Sequence, residues 1–334
     1  MAERLPVVLV TGFLGSGKTT LLRRLLGRPE LGETAVIVNE LGEVALDHHL
    51  LRRVDERTVL LANGCLCCTL RGDLADELRD LLSRRTRGEI PAFRRVLVET
   101  TGLADPAPIL NTLLAEPVVR HHFEPGAVLA TVDSVNGLGQ LEREEETVKQ
   151  VVVADRLVVT KTDVADREEV MRLEERLRAL NPAAELLEVS FGEVDPDVLL
   201  AARNGDPREL RIPEGPGHGG DLRPFVLFLE RPVDWTAFGI WLTMLLQARG
   251  NDVLRVKGLL DVGGPGPVLL NGVQHVVSPP EHLEAWPDGD RRSRIVFIAR
   301  GIGREEVEES LTAFDAASRP LYGANPSGGG SDAS

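Results

Sequence analysis

The chain has 334 residues, 43% of them hydrophobic, with 52 Asp and Glu against 38 Lys and Arg and a net charge of −14. That length holds one large core and a smaller second one, and a negative field repels a phosphate backbone, so nucleic acid is not expected as a partner. The apolar run Leu5 to Val10 is too short to span a bilayer and lacks the flank and cleavage site of a signal peptide. A cytoplasmic protein with no membrane partner is expected.

Through about residue 200, short runs rich in Val, Leu and Ile alternate with longer segments of helical period. The runs are apolar on both faces, which indicates a parallel sheet covered by helices. Strands are expected at Pro6–Val10, Ala35–Val38, Thr58–Ala62, Arg95–Val98, Val128–Val132, Leu157–Thr160 and Glu185–Val189. Helices are expected at Thr19–Leu26, Leu74–Arg84 with Asp73 as its N-cap, Glu142–Ala154 and Arg167–Leu180. Residues 1–203 thus predict a doubly wound α/β domain. Residues 204–221, rich in Gly and Pro, read as a linker. Strands from Phe225, Asp252, Val268, Val273 and Arg294, with helices at Trp235–Gln247 and Arg304–Phe314, predict a smaller C-terminal α+β sandwich domain over residues 222–322. The tail 323–334 lacks the apolar residues that would offset ordering and is expected to be disordered.

After the first strand stands GFLGSGKTT, Gly12 to Thr20, two glycines five apart followed by Lys and Thr. Gly12, Gly15 and Gly17 let the backbone curl so that its N–H groups point inward, around Ser16, and the following helix adds the positive end of its dipole. This predicts a P-loop NTPase domain in which Gly12, Gly15, Ser16, Gly17, Lys18, Thr19 and Thr20 bind the nucleotide, with Lys18 on the β- and γ-phosphates and Thr19 ligating Mg²⁺. After Val98 come Glu99, Thr100, Thr101 and Gly102, an acid three before a glycine at a strand end. The carboxylate is expected near the Mg²⁺ shell and the Gly102 N–H near the γ-phosphate, in a segment that can switch with nucleotide state.

The strand ending at Thr160 leads into Lys161, Thr162 and Asp163. The usual guanine reader is Asn-Lys-x-Asp, whose carboxylate accepts from guanine N1–H and N2–H₂, a donor pair adenine lacks. Thr160 replaces the Asn but Asp163 remains, so GTP and GDP are expected over adenine nucleotides; an Asp capping the next helix is the plainer alternative. Ser190, after the seventh strand, is a candidate contact to the base.

All three cysteines fall between Cys65 and Cys68, on the loop after the third strand. They cannot staple distant parts of the fold, and in a reducing compartment such a cluster points to metal or redox chemistry. The thiolates of Cys65, Cys67 and Cys68 suit Zn²⁺, Cu(I) or Co²⁺. A transferable ion requires an incomplete shell, and NELGEVALDHH, Asn39 to His49, offers Glu40, Glu43, Asp47, His48 and His49.

GFLGSGKTT, NELGEVALDH, NGCLCC, ETTGLADP and TKTD in this order, followed by RVKGLLD and NGVQHVV, resemble the CobW-like family of P-loop GTPases over nearly the whole chain. The resemblance implies GTP hydrolysis, Mg²⁺, Zn²⁺ or Co²⁺ on the cysteines, and a client metalloprotein as partner. It leaves room for a homodimer. No glutamine follows Gly102, so intrinsic turnover is expected to be slow, with Glu40 and Glu99 as candidates for placing water or metal. A redox-sensing nucleotide module and a P-loop kinase with a structural zinc stay open beside it.

Overall fold

The computed structural model describes residues 4–38, 59–62, 71–200 and 222–322, the side chains of 59–62, 71–73 and 318–322 excepted. The first apolar runs form β1 (Leu5–Gly12), β2 (Thr34–Val38), β3 (Val59–Ala62), β4 (Arg95–Glu99), β5 (Phe123–Asp133), β6 (Arg156–Thr160) and β7 (Glu185–Val189). These pair in the order β3-β2-β4-β1-β5-β6-β7, each neighbour parallel. Parallel neighbours need crossovers, and the helices that supply them cover both faces. The described helices here are α1 (Lys18–Leu26), α2 (Arg71–Thr86), α3 (Pro106–Ala115), α4 (Pro117–His122), α5 (Gly137–Arg143), α6 (Glu145–Val153), α7 (Arg167–Leu180) and α8 (Pro196–Leu200). Alternation along β1 divides the core: Val8 and Val10 pack with Leu21 and Leu25 of α1. Val7 and Leu9 pack with Leu78 of α2 and Leu110 of α3.

Two local readings change. The helix expected over Glu142–Ala154 is two helices, broken where Glu144 takes extended backbone at φ −113°, ψ 110°. Glu145 and Glu146 then open α6, where the helix dipole favours acids. The second helix starts at Arg71, so Asp73 lies inside its first turn instead of capping it. A further helix, not among those expected, opens at PAPILNTLLA: Pro106 takes the first helical position and the Asp105 carboxylate accepts from Ala107 N at 2.9 Å.

The second sheet contains β8 (Leu222–Leu229), β9 (Val253–Leu260), β10 (Val268–Val273), β11 (Val276–Val277) and β13 (Ser293–Arg300), in the order β11-β10-β9-β13-β8, with β12 (Glu281–His282) also on β10. All its pairings are antiparallel. α9 (Trp235–Arg249) and α10 (Arg304–Tyr322) cover one face, with Phe238, Trp241 and Val307 against Leu227, Ile295 and Phe297. The other face, through Val226, Leu254, Val296 and Ile298, shares a core with Val151 and Val152 of α6 and Leu173 and Leu177 of α7. At this junction the Arg255 side chain, 1% exposed, donates to Val153 O at 2.7 Å and to the Asp155 carboxylate. Asp155 also accepts from Val128 N at 2.9 Å.

Candidate nucleotide site at the edge of the parallel sheet

β1 delivers the chain into the loop from Gly12 to Lys18. Gly12 stands at φ 137°, where a Cβ would lie 2.3 Å from Thr131 Oγ1 and 2.4 Å from Thr131 O, so only glycine fits. Gly17 at φ 95° is the residue before α1. The buried Ser16 and Thr131 hydroxyls bond at 2.6 Å, fastening the loop to β5. Lys18 Nζ arches back over the loop, donating to Gly12 O at 2.8 Å and Phe13 O at 3.0 Å. Thr19 donates its hydroxyl to Glu99 Oε1 at 2.7 Å, and Thr20 is exposed beside it on α1.

The segment after β4 is laid against this loop. Thr100 N donates to Val10 O and its hydroxyl to Thr11 Oγ1, both at 2.9 Å. A Cβ on Gly102 would stand 2.6 Å from Leu14 N, so the two backbones touch only because the residue is glycine.

Thr160 Oγ1 donates to Ser16 O at 2.7 Å, with Val132 O at 3.3 Å. The threonine therefore ties strand β6 to the phosphate loop, a contact to backbone that a hydroxyl can make without an amide. Lys161, at φ 59°, donates to Asp133 Oδ2 at 2.7 Å. Asp133 is 2% exposed. Burial works against its charge, but the bonds from Lys161, Asn136 and Val135 N outweigh it and hold the carboxyl below its ordinary range. Asp163 is exposed, and the cap of α7 is Asp166, whose carboxylate accepts from Glu168 N at 2.8 Å. The Ser190 hydroxyl bonds Thr162 Oγ1 at 2.7 Å, which sets the β7 exit beside the Lys161–Asp163 turn.

The described site thus gathers Gly12, Gly15, Ser16, Gly17, Lys18, Thr19, Glu99 and Gly102 at one sheet edge, with Lys161, Asp163 and Ser190 on the neighbouring exits. Glu40, Cys65, Cys67 and Cys68 lie outside the described residues. The register nevertheless places their strands: Val38 stands opposite both Ala62 and Glu99, and Val10 opposite Glu99, so the chain leaves β2 and β3 in the same row as the Thr19–Glu99 pair. Sequence reasoning missed Thr131, Asp133 and Gln150. The signal available for Asp133 was an acid at the end of an apolar strand; for Gln150 nothing local marked it. A separate cavity of about 1130 Å³, lined by Arg4, Arg85, Arg95, Pro125 and Asn271 among others, includes none of these residues.

Residues 6–188 match the family described as CobW/HypB/UreG, nucleotide-binding domain, and residues 222–315 the cobalamin synthesis protein cobW C-terminal domain. The chain is 35% identical to the zinc chaperone YjiA of Escherichia coli over 92% of this chain and 98% of that one. It is 31% identical to the zinc chaperone CobW of Pseudomonas aeruginosa, covering 92% and 91%. The crystal structure of the Zn(II)-bound YjiA GTPase from E. coli superimposes with a TM-score of 0.71 at 31% identity, over 93% of this chain and 99% of that one. The phosphate loop, the parallel sheet and the second sheet packed on α6 and α7 are therefore those of a known architecture, and this chain belongs to the CobW/HypB/UreG family, with the cobW C-terminal domain.

Proposed function

We propose that this chain is a GTPase that takes up a zinc ion on Cys65, Cys67 and Cys68 and uses the nucleotide state to control its delivery to a client metalloprotein. The observation that carries the reading is the register just described. Three inter-strand spacings, about 14 Å, separate β3 from β1. Cys65 is three residues past Ala62 and Glu40 two past Val38. Three residues can span at most about 10 Å of that distance, so chain length permits both segments to approach the phosphates. The zinc and GTPase names borne by YjiA and CobW support the same assignment.

In this reading GTP lies across the sheet edge with its phosphates on the loop amides and the N-terminus of α1. Lys18 turns from its own carbonyls to the β- and γ-phosphates and stabilises the charge that develops as water attacks the γ-phosphate in line. The Thr19 hydroxyl and the Glu99 carboxylate, 2.7 Å apart, are hard oxygen donors and fit magnesium. Bound there, the ion would neutralise charge on the β- and γ-oxygens. Asp163, not engaged as a helix cap, accepts from guanine N1–H and N2–H₂. Lys161, held by Asp133, lays its stem over the base. Glu40 and Glu99 place water or metal, and turnover without a further positioning group is slow. The cargo is zinc, with cobalt as the competing ion.

The test is zinc affinity measured by chelator competition in magnesium, with a non-hydrolysable GTP analogue and with GDP. A coupling of about 1–3 kcal/mol would separate the two by roughly 5- to 150-fold, with the same factor on nucleotide affinity. Identical affinities would refute nucleotide control, and a cysteine disulfide without stoichiometric zinc in anaerobically purified protein would favour the redox reading.

A further inference from the structure

Gln150, on α6, is 1% exposed and spends both amide hydrogens on the segment after β4: Nε2 donates to Gly102 O at 3.1 Å and to Ala104 O at 3.0 Å. The two carbonyls set the amide's orientation, because its oxygen turned toward them would meet two acceptors. Its Oε1 is buried with no donor among the described residues. An apolar side chain of the same shape would avoid that cost, so the two carbonyls are the physical reason for an amide here.

The same helix is built into the second domain. Val151 and Val152 share a core with Val226, Leu254, Val296 and Ile298. Val153 O accepts from Arg255, and Asp155, two residues past α6, takes the other arm of that guanidinium. At the opposite end of the chain of contacts, Gly102 lies against Leu14 of the phosphate loop.

We infer that Gln150 is a positioning residue that fastens residues 102–104 to α6, so that the second domain senses which nucleotide is bound. The inference rests on the GTPase reading above. A γ-phosphate that draws the Gly102 N–H toward it moves two carbonyls to which α6 is bonded. Either α6 follows, shifting the core it shares with β8, β9 and β13, or two buried hydrogen bonds break. Differential contact of the two nucleotides with this segment is the only driving force required.

The chain carries its own reporter. Its three tryptophans, Trp235, Trp241 and Trp286, all lie in the second domain, whereas the nucleotide lies on the first. Tryptophan emission of the full chain is measured in magnesium with a non-hydrolysable GTP analogue and with GDP, for the parent, Gln150→Met and Gln150→Glu, alongside equilibrium dialysis of labelled nucleotides. The parent should emit differently in the two states. Both variants should still bind nucleotide; Gln150→Met, which cannot donate, should lose the difference, and Gln150→Glu, whose buried carboxyl facing two carbonyls is held neutral and can donate to only one of them, should keep at most part of it. A merely structural role would lower the melting temperature and leave the difference intact. Amide exchange over residues 253–260 of the parent needs no variant and should also differ between states. Equal emission and equal exchange of the parent in the two states would overturn the inference, as would variants that keep the parent's difference. A parent that binds no nucleotide would bring down the GTPase reading and this inference with it.

Discussion

Replacing Arg255 with Met removes the charge at the junction of the two domains while keeping most of the stem. The ion-pair partner, Asp155, has a side chain 2% exposed; it loses the guanidinium and retains the bond from Val128 N. Removing one member of a buried ion pair strands the other charge, at about 3–5 kcal/mol. Unfolding entropy near 2.1 cal/mol/K per residue, taken over the 334-residue chain, is about 0.7 kcal/mol/K, so the melting temperature should fall by roughly 4–7 °C. Scanning calorimetry of protein free of metal and nucleotide, at fixed ionic strength, measures it. Arg255→Met combined with Asp155→Asn should lose less than the single change, since the stranded charge is gone while Val128 N keeps an acceptor. A fall below about 1 °C for Arg255→Met would refute the argument that this pair clamps the two sheets, and equal losses for single and double variants would refute the charge as its cause.

Lys18→Ala should abolish tight GTP binding with an unchanged circular dichroism spectrum, because its ammonium sits over the loop, donating to Gly12 O and Phe13 O, where it serves phosphate charge and not the apolar core; equal affinity by equilibrium dialysis would contradict it. Asp163→Asn should relax guanine preference and admit xanthine nucleotides, since an amide cannot accept from both guanine donors; competition of labelled GTP with ATP and xanthosine triphosphate decides it. Asp133 has a folded pKa below its unfolded one, so its stabilisation is fully present above about pH 4 and is lost as pH falls through the lower folded value. Denaturant midpoints of the parent and Asp133→Asn should therefore converge below about pH 4, and a constant gap down to acid would contradict the assignment.

Local pattern suffices for much of this molecule. Apolar runs such as Val7–Val10 read as buried parallel strands because both faces are covered, and the spacing of Gly12, Gly17, Lys18 and Thr19 marks an anion loop because backbone curvature and dipole depend on neighbours in the chain. Caps and helix breaks were less legible. Glu144 carries no breaker, yet it takes extended backbone between α5 and α6, and Arg71 begins α2 ahead of the expected Asp73. What tertiary structure decided are the contacts between residues far apart in sequence. Thr160 reaches Ser16 across 144 positions, Gln150 reaches Gly102 across 48 and Arg255 reaches Asp155 across 100. No periodicity encodes such pairs, because each depends on the order in which β1, β5 and β6 lie side by side and on the face of the second sheet that meets α6. A Thr after a strand, a Gln in a helix or an Arg in a strand is commonplace until the fold supplies a buried partner for it.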